Sequence, residues 1–290
     1  MGNCNMESIE FSKLDGQGND FILIDSFTDN IELSSIQIAS MCDRHFAIGA
    51  DGLILVKKSN NSDFYMDYYN QDGSKAEMCG NGIRCMSKFI HDMRLSTSDK
   101  FSIDTLAGKK VIELDLSNGY VGNIKVDMGP PIFNPEDIPV DLKGGEVFDH
   151  ILNTPEKDFL INCISMGNPH CIIYLEENDD LEKIPLNTWG PLLEEHSFFP
   201  NKTNVEFVKV LSGSEIKMRV WERGVGETLA CGTGACAVAV SALKLKKIAG
   251  PAVKVKVPGG ELNIIWKGGI SSVFLEGEVE HSFHGVYFLK

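Results

Sequence analysis

The sequence contains no Cys-x-x-Cys pair, although it has eight cysteines among its 290 residues. Zinc ligands and thiol redox motifs usually place cysteines at such short spacings, so their absence disfavours both classes. We therefore expect no metal site. A non-enzymatic thiol redox or metal-binding protein is kept as the alternative from a different class of function.

Positive charge is also scarce, with 27 Lys and Arg against 41 Asp and Glu and a net charge of −14. Binding to nucleic acid is disfavoured because no basic stripe is available for phosphates. The sequence also lacks an apolar run of membrane-spanning length and an apolar segment near its start. Together with thiols that are not arranged as a disulfide framework, these absences predict a cytoplasmic protein that binds neither nucleic acid nor membrane.

What the sequence does have is a cysteine at the predicted start of a buried helix. Cys231 precedes Gly232 and Gly234, and an apolar run from Ala235 to Leu245 follows at once. The N–H groups at a helix start stabilise an anion, so we expect the Cys231 thiol to ionise readily. The two glycines lack a Cβ, so a ligand carboxylate could come close to their N–H groups.

The same device occurs a second time. Cys79 also precedes a Gly-x-Gly, and it lies 152 residues before Cys231. Gly18-Asn19 and Gly167-Asn168 repeat at nearly the same offset. These repeats predict a duplicated chain, with an N-terminal half at 1–128 and a C-terminal half at 129–279, and a last strand at about 280–290 that could return to the first half.

Short strand patterns outnumber helical ones in both halves and do not alternate with them. This favours an α+β fold of two pseudo-symmetric homologous domains, each a strand-rich, barrel-like sheet around a central buried helix. Two helix-capping cysteines from two such halves suggest an active site in the cleft between the domains. One thiolate would remove a proton from a carbon there and the facing thiol would deliver another, which inverts a stereocentre.

Five ordered blocks of residues resemble those of the diaminopimelate epimerase family, from about Phe11 to the C-terminus. The blocks are Lys13–Phe21, Asn70–Ser74, Met78–Arg84, Met166–His170 and Glu222–Gly234. The resemblance implies cofactor-independent conversion of LL- to meso-diaminopimelate, in lysine and peptidoglycan biosynthesis, by a two-cysteine mechanism. It implies a small-molecule substrate and no cofactor, and a homodimer is possible.

The resemblance also implies roles for individual residues. Cys79 and Cys231 would be the catalytic acid-base pair, with His170 and Glu222 supporting catalysis. The implied substrate-binding residues are Asn19, Asn70, Gly80, Asn81, Asn168, Asn204, Arg223, Gly232 and Thr233. Arg223 suits a carboxylate because its guanidinium can bind one with two hydrogen bonds.

Two points depart from a simple match. Gly52 stands where some family members carry a polar contact residue, so no contact is assigned there. A proline racemase-type enzyme on the same fold is the nearest alternative. That group typically has His after its first Cys-Gly and Asp-x-x-Pro before its second cysteine, whereas this chain has Asn81 and Glu227-Thr228-Leu229-Ala230.

Overall fold

The computed structural model describes residues 8–289, which form four α-helices and seventeen β-strands. The helices are α1 (Ser35–Cys42), α2 (Gly80–Asp92), α3 (Leu186–Glu194) and α4 (Gly232–Lys244). The chain divides into two compact units. The first runs up to Val126 and resumes at Gly277, and the second is Asp127–Glu276. No helix within residues 8–289 is both long and apolar enough to cross a membrane.

The strands of the first unit pair mostly in sequence order. They are β1 (Ser8–Gly16), β2 (Asn19–Asp25), β3 (Gly52–Lys57), β4 (Phe64–Asn70), β5 (Lys100–Thr105), β6 (Gly108–Ser117), β7 (Tyr120–Gly129) and β17 (Glu280–Phe288). From β1 to β7 the successive pairs are antiparallel, parallel, antiparallel, parallel, antiparallel and antiparallel. Strand β17 pairs antiparallel with β1, on the edge of β1 that does not pair with β2.

The second unit repeats this order. Its strands are β8 (His150–Asn153), β9 (Asp158–Ser165), β10 (Pro169–Tyr174), β11 (Asn204–Val210), β12 (Glu215–Glu222), β13 (Gly226–Thr228), β14 (Ala252–Val257), β15 (Gly260–Trp266) and β16 (Val273–Gly277). Without the short β8 and β13, the successive pairs from β9 to β16 have the same directions as those from β1 to β7. The predicted α+β fold with two homologous halves is confirmed.

The helices occupy equivalent places in the two units. All four helices lie in connections between parallel strands, and α2 and α4 are the most deeply buried of them. Helix α2 contacts β1, β2 and β3, and α4 contacts β9 to β12, β14 and β15. Ten of the thirteen residues are buried in each of these two helices. Burial on nearly all sides fixes the helix axis, and with it the position of the cysteine at its start.

Local sequence signals predict some boundaries well and others poorly. The sequence predicts a helix from Ser34 to His45 with Ser34 or Ser35 as its cap. Ser34 is the cap, through a capping box with Gln37, and the helix ends at Cys42, so the predicted end at His45 is wrong. The Asp43 carboxylate accepts hydrogen bonds from the N–H groups of His45 and Phe46, which turns the chain out of the helix.

Candidate active site

Both cysteines are the N-cap residues of thirteen-residue helices. Cys79 has φ −132° and ψ 127°, and its sulfur accepts a hydrogen bond from the Gly82 N–H at 3.5 Å. Cys231 has φ −125° and ψ 110°, and its sulfur accepts from the Gly234 N–H at 3.4 Å. Each thiol therefore lies over the first turn of its helix, where backbone donors have no partner within the helix.

The second glycine of each Gly-x-Gly is closely packed, most closely at Gly234. A Cβ at Gly234 would lie 2.8 Å from Glu206 Oε1 and 3.3 Å from Cys231 Sγ. A Cβ at Gly82 would lie 3.2 Å from both Ile54 and Met66. The Gly234 N–H, which was predicted to be open to a ligand carboxylate, donates to Cys231 Sγ in this structure.

Amide side chains surround Cys79. Asn19 is the first residue of β2, and its Oδ1 lies 3.5 Å from Cys79 Sγ and 3.4 Å from Asn81 Nδ2. Asn81 Oδ1 in turn accepts a hydrogen bond from Arg84 at 2.9 Å, and Arg84 is completely buried. Three residues predicted for the site, Asn19, Cys79 and Asn81, therefore lie together.

An ion-pair network that the sequence analysis did not predict holds Asn19. Asn19 Nδ2 donates to Asp51 Oδ2 at 2.7 Å, and Arg44 pairs with Asp51 at 2.7 Å and with Asp20 at 2.6 Å. Burial by itself raises the pKa of Asp20, but hydrogen bonds and charges from Arg44 and Lys13 outweigh it and lower that pKa to about 2. Because a carboxylate only accepts hydrogen bonds, Asp51 turns the Asn19 amide so that its oxygen faces Cys79.

The surroundings of Cys231 are acidic instead. Glu222, the last residue of β12, accepts a hydrogen bond from Thr228 across the β12–β13 hairpin. Thr233 Oγ1 lies 3.5 Å from Cys231 Sγ. Cys231 itself is 6% exposed. A hydroxyl and a carboxyl group thus contact a thiol that is nearly closed off from solvent.

A buried histidine and glutamate complete this side. His170 Nδ1 lies 2.6 Å from Glu206 Oε1, and His170 Nε2 lies 3.0 Å from Asn168 Oδ1. Neither His170 nor Glu206 is exposed. Within residues 8–289 the other oxygen of Glu206, Oε2, has no hydrogen-bond partner. The buried Glu206 carboxylate adds negative potential near Cys231.

This environment corrects the expectation that the Cys231 thiol ionises readily. Burial, followed by the charges of Glu222 and Glu206, raises the pKa of Cys231 well above its usual range, although hydrogen bonds from Thr233 and Gly234 oppose the shift. Burial also raises the pKa of Glu222, against hydrogen bonds to Thr228 and Cys231 and the charge of His170. The favourable helix end is outweighed by burial and by like charge.

Asn204 begins β11, Asn70 ends β4, and Arg223 lies in the turn after β12. Asn204 Oδ1 accepts from the Arg223 backbone N–H at 2.9 Å, and Asn204 Nδ2 donates to the Pro169 carbonyl at 2.8 Å. The exposed Arg223 guanidinium donates to the Asn201 carbonyl at 3.2 Å. Asn70 donates to Ser74 Oγ at 3.0 Å at the end of β4. The structure therefore joins Asn204 to Arg223 and ties Asn70 into its own turn.

Gly80, Gly232 and Thr233 lie in the first turns of α2 and α4, as predicted from the cysteine spacing. The sequence analysis missed Asp51 and Glu206. Glu206 could have been noticed because it interrupts the apolar run Val205–Val208 of a strand. Within residues 8–289, no group of three or more His, Cys, Asp or Glu side chains is arranged to hold a metal ion.

Comparison with known proteins identifies the family of this chain. The sequence model of the family described as diaminopimelate epimerase matches residues 11–134 and 162–282. The chain belongs to the diaminopimelate epimerase family. The diaminopimelate epimerase of Methanococcus maripaludis is 46% identical over 277 residues, covering 96% of this chain and 99% of that protein. The enzyme of Leptospira biflexa is 45% identical over 281 residues, covering 96% and 98%.

Solved structures show how widely this epimerase fold is used. A phenazine biosynthesis protein of the PhzF family from Bacillus anthracis has a TM-score of 0.71 at 17% identity, covering 98% of this chain and 100% of that one. A hydroxyproline epimerase from Agrobacterium vitis has a TM-score of 0.69 at 10% identity, covering 97% and 93%. At such low identity these likenesses concern the fold alone.

Proposed function

We propose that this protein epimerises LL-diaminopimelate to meso-diaminopimelate without a cofactor, as a PLP-independent isomerase. The observation that carries the proposal is the duplicated Cys-capped helix in a chain that belongs to the diaminopimelate epimerase family over nearly its whole length. Inversion at a carbon needs one group to take a proton and another to give one from the opposite face. Two equivalent thiols meet that need.

In the proposed reaction, Cys79 and Cys231 act on the same α-carbon. When Cys79 is the thiolate, it removes the α-proton, and the Cys231 thiol gives its proton to the other face. Cys231 is suited to hold a proton before the reaction because burial and two carboxylates raise its pKa. In the reverse direction Cys231 must first lose its proton. We assign Glu222 as the acceptor because it hydrogen-bonds Cys231 and its own pKa is raised.

The substrate carboxylate would lie at the two helix starts. Gly80 and Asn81 of α2, and Gly232 and Thr233 of α4, belong to first turns, whose N–H groups and dipole favour a negative charge. Charge that develops on this carboxylate as the α-proton leaves would be stabilised there. Asn19, Asn70, Asn168, Asn204 and Arg223 would bind the rest of the substrate, with Arg223 on its distant carboxylate.

The direct test is the conversion of LL- to meso-diaminopimelate by pure, reduced protein. The assay contains no pyridoxal phosphate and no metal, with a chelator added and the isomers separated by chiral chromatography. We expect conversion in both directions and none of L-proline to D-proline, which a racemase of the alternative type would carry out. No conversion, or conversion only after a cofactor is added, would contradict the proposal.

The proposal also covers the protein's pathway and compartment and its oligomeric state. We place the protein in lysine and peptidoglycan biosynthesis in the cytoplasm. Cys163 and Cys171 are buried thiols directly opposite each other on β9 and β10, an arrangement suited to a reducing compartment. A homodimer is also proposed, and sedimentation equilibrium of the pure protein tests it, since a monomer at micromolar concentration would contradict it.

A further inference from the structure

Helix α3 packs tightly against the strand that carries Glu222. A Cβ on Gly190 of α3 would lie 2.5 Å from the Trp221 ring, so only glycine permits this approach. Glu194 lies one helical turn after Gly190 and therefore on the same face of α3. The helix places a carboxylate next to the turn that follows Trp221.

The Glu194 carboxylate is nearly buried, with 7% of its side chain exposed. Its Oε2 accepts the Trp221 indole N–H at 2.8 Å, and its Oε1 accepts the Gly224 backbone N–H at 2.9 Å. The Lys202 ammonium, which is half exposed, is 3.7 Å from Oε1. Trp221 precedes Glu222 and Gly224 follows Arg223. The Glu194 carboxylate therefore bridges the two ends of the short segment that contains Glu222 and Arg223.

The turn itself depends on these contacts. The Val225 N–H bonds the Glu222 carbonyl at 3.0 Å, and Gly224 and Gly226 have φ of 75° and 106°. Such a glycine-containing turn is flexible in the unfolded chain. Besides Glu194, Asn204 holds it by accepting the Arg223 N–H. Side chains from α3 and β11 thus fix a segment whose own residues allow many conformations.

We propose that Glu194 is a positioning residue that holds the Trp221–Gly224 turn, so that Glu222 stays at Cys231 and Arg223 is presented to the substrate. The part that concerns Arg223 rests on the proposed function. Glu194 touches no reacting atom, and its effect passes through the hydrogen bonds to Trp221 and Gly224. This role differs from that of the residues assigned above to the thiols or to the substrate.

The chemistry requires a carboxylate at this position. Both partners of Glu194 are N–H donors, and a carboxylate offers an acceptor to each. Glutamine has nearly the same shape but only one acceptor oxygen, so its NH₂ group would face either Trp221 or Gly224. One N–H beside the nearly buried Glu194 side chain would then lose its partner. Glu194→Gln therefore changes the hydrogen bonding with little change in volume.

The first test uses hydrogen–deuterium exchange of the full chain without substrate. In Glu194→Gln we expect the amides of Arg223 and Gly224 to exchange at least about tenfold faster, from the loss of one partly buried hydrogen bond. The matched control is Glu195→Gln, because the adjacent Glu195 carboxylate is exposed and bonds Lys202. Equal exchange in Glu194→Gln and Glu195→Gln would overturn the proposal.

The second test is kinetic. Glu194→Gln should raise the KM for diaminopimelate by about tenfold and lower kcat by a smaller factor, because a loosened turn still visits the correct geometry. It should also shift the pH dependence of kcat, since Glu222 would no longer be held at Cys231. An unchanged KM and pH profile would show that Glu194 only supports stability.

A rescue experiment separates the hydrogen-bond argument from a general loss of packing. Trp221→Phe removes one of the two donors, so a glutamine at 194 could give its oxygen to Gly224 while its NH₂ faces no donor. Glu194→Gln should then increase Gly224 exchange by less than about twofold in the Trp221→Phe background. An increase as large as in the parent protein would overturn the assignment.

The exchange measurements do not depend on the proposed reaction, whereas the kinetic test does. If the parent protein fails to convert diaminopimelate, the proposed function fails, while the exchange measurements still decide whether Glu194 holds the turn. If the parent protein is active and both the exchange rates and the KM of Glu194→Gln match those of Glu195→Gln, the positioning role fails and the function stands.

Discussion

The two cysteine-capped helix starts have the same backbone and different neighbours. Helices α2 and α4 are equally long, and each cysteine caps its helix with nearly the same φ and ψ. Cys79 faces the amides of Asn19 and Asn81, which Asp51 and Arg84 hold in place. Cys231 faces Glu222 and lies near Glu206 and His170.

Two properties of each cysteine have separate causes: the position of its sulfur atom, and the ease with which it loses a proton. The backbone places the sulfur atom, and this is the same in both units. The neighbours decide how easily a proton leaves, and at Cys231 burial and two carboxylates outweigh the helix end. The two units thus hold a cysteine at matched positions, and the residues around these positions differ in charge and hydrogen bonding.

The largest effect should come from removing either sulfur. Cys79→Ala and Cys231→Ala should each lower kcat by at least about 1000-fold in both directions, since every turnover needs both proton transfers. The matched control is Cys85→Ala, because Cys85 is a buried thiol of the same helix α2. Activity within tenfold of the parent in either cysteine variant would show that the two positions are not a pair.

A smaller effect should follow from changing Glu222, the carboxylate that contacts Cys231. Glu222→Gln removes the proposed proton acceptor of Cys231, and we expect kcat to fall by about 100-fold. Because a variant cannot change the overall equilibrium, kcat/KM should fall by the same factor in both directions. Glu227→Gln is the control, since Glu227 pairs with Arg219 on the same hairpin. A loss no larger than that of Glu227→Gln would contradict the specific role of Glu222 at Cys231.

A still smaller effect should follow from changing Asp51, which orients the Asn19 amide beside Cys79. Asp51→Ala releases the Asn19 amide, so that its NH₂ group can turn to Cys79, and we expect kcat to fall by about tenfold. Alkylation of Cys79, followed by peptide mapping, should become faster because a donor near the sulfur favours the thiolate. Asp104→Ala, which removes a carboxylate bonded to Ser59 and Ser62, should leave the alkylation rate unchanged.

The smallest expected effect concerns stability at alkaline pH. The pKa of Cys231 is raised on folding, so its contribution is fully present below about pH 9, where the unfolded thiol is still protonated. It is lost as pH rises, by about 1.4 kcal/mol per pH unit until the folded pKa is reached. Urea unfolding from pH 8 to 10 should show a shallower loss for Cys231→Ala than for the parent protein. Parallel slopes would contradict the raised pKa.

Local patterns predicted the parts of the fold that local interactions create. The Cys-Gly-x-Gly spacing predicted both helix starts, and the serine pair Ser34-Ser35 predicted the start of α1, because caps form between residues a few positions apart. The short strands β8 and β13 were not predicted. Three or four residues give little periodicity, and such strands form because a longer neighbour supplies their hydrogen bonds.

The predicted site residues were found by motif, whereas the residues that orient them were missed. Asp51, Glu194 and Glu206 act through contacts with residues that are distant in sequence, and no local pattern encodes these contacts. The wrong expectation for the Cys231 thiol has the same origin. A helix start can be recognised in sequence, but the burial and the carboxylates that outweigh it exist only after the chain has folded.

In the proposed reaction, the proton removed and the proton delivered are carried by different thiols. The most direct test is the reaction of LL-diaminopimelate in D₂O, stopped early and analysed by mass spectrometry. Because the thiols exchange with solvent, the delivering thiol carries deuterium before the reaction begins. We predict that the first meso product contains deuterium at the inverted carbon while the remaining LL substrate keeps its hydrogen. Early product that keeps hydrogen, or recovered substrate that gains deuterium, would contradict the two-thiol account.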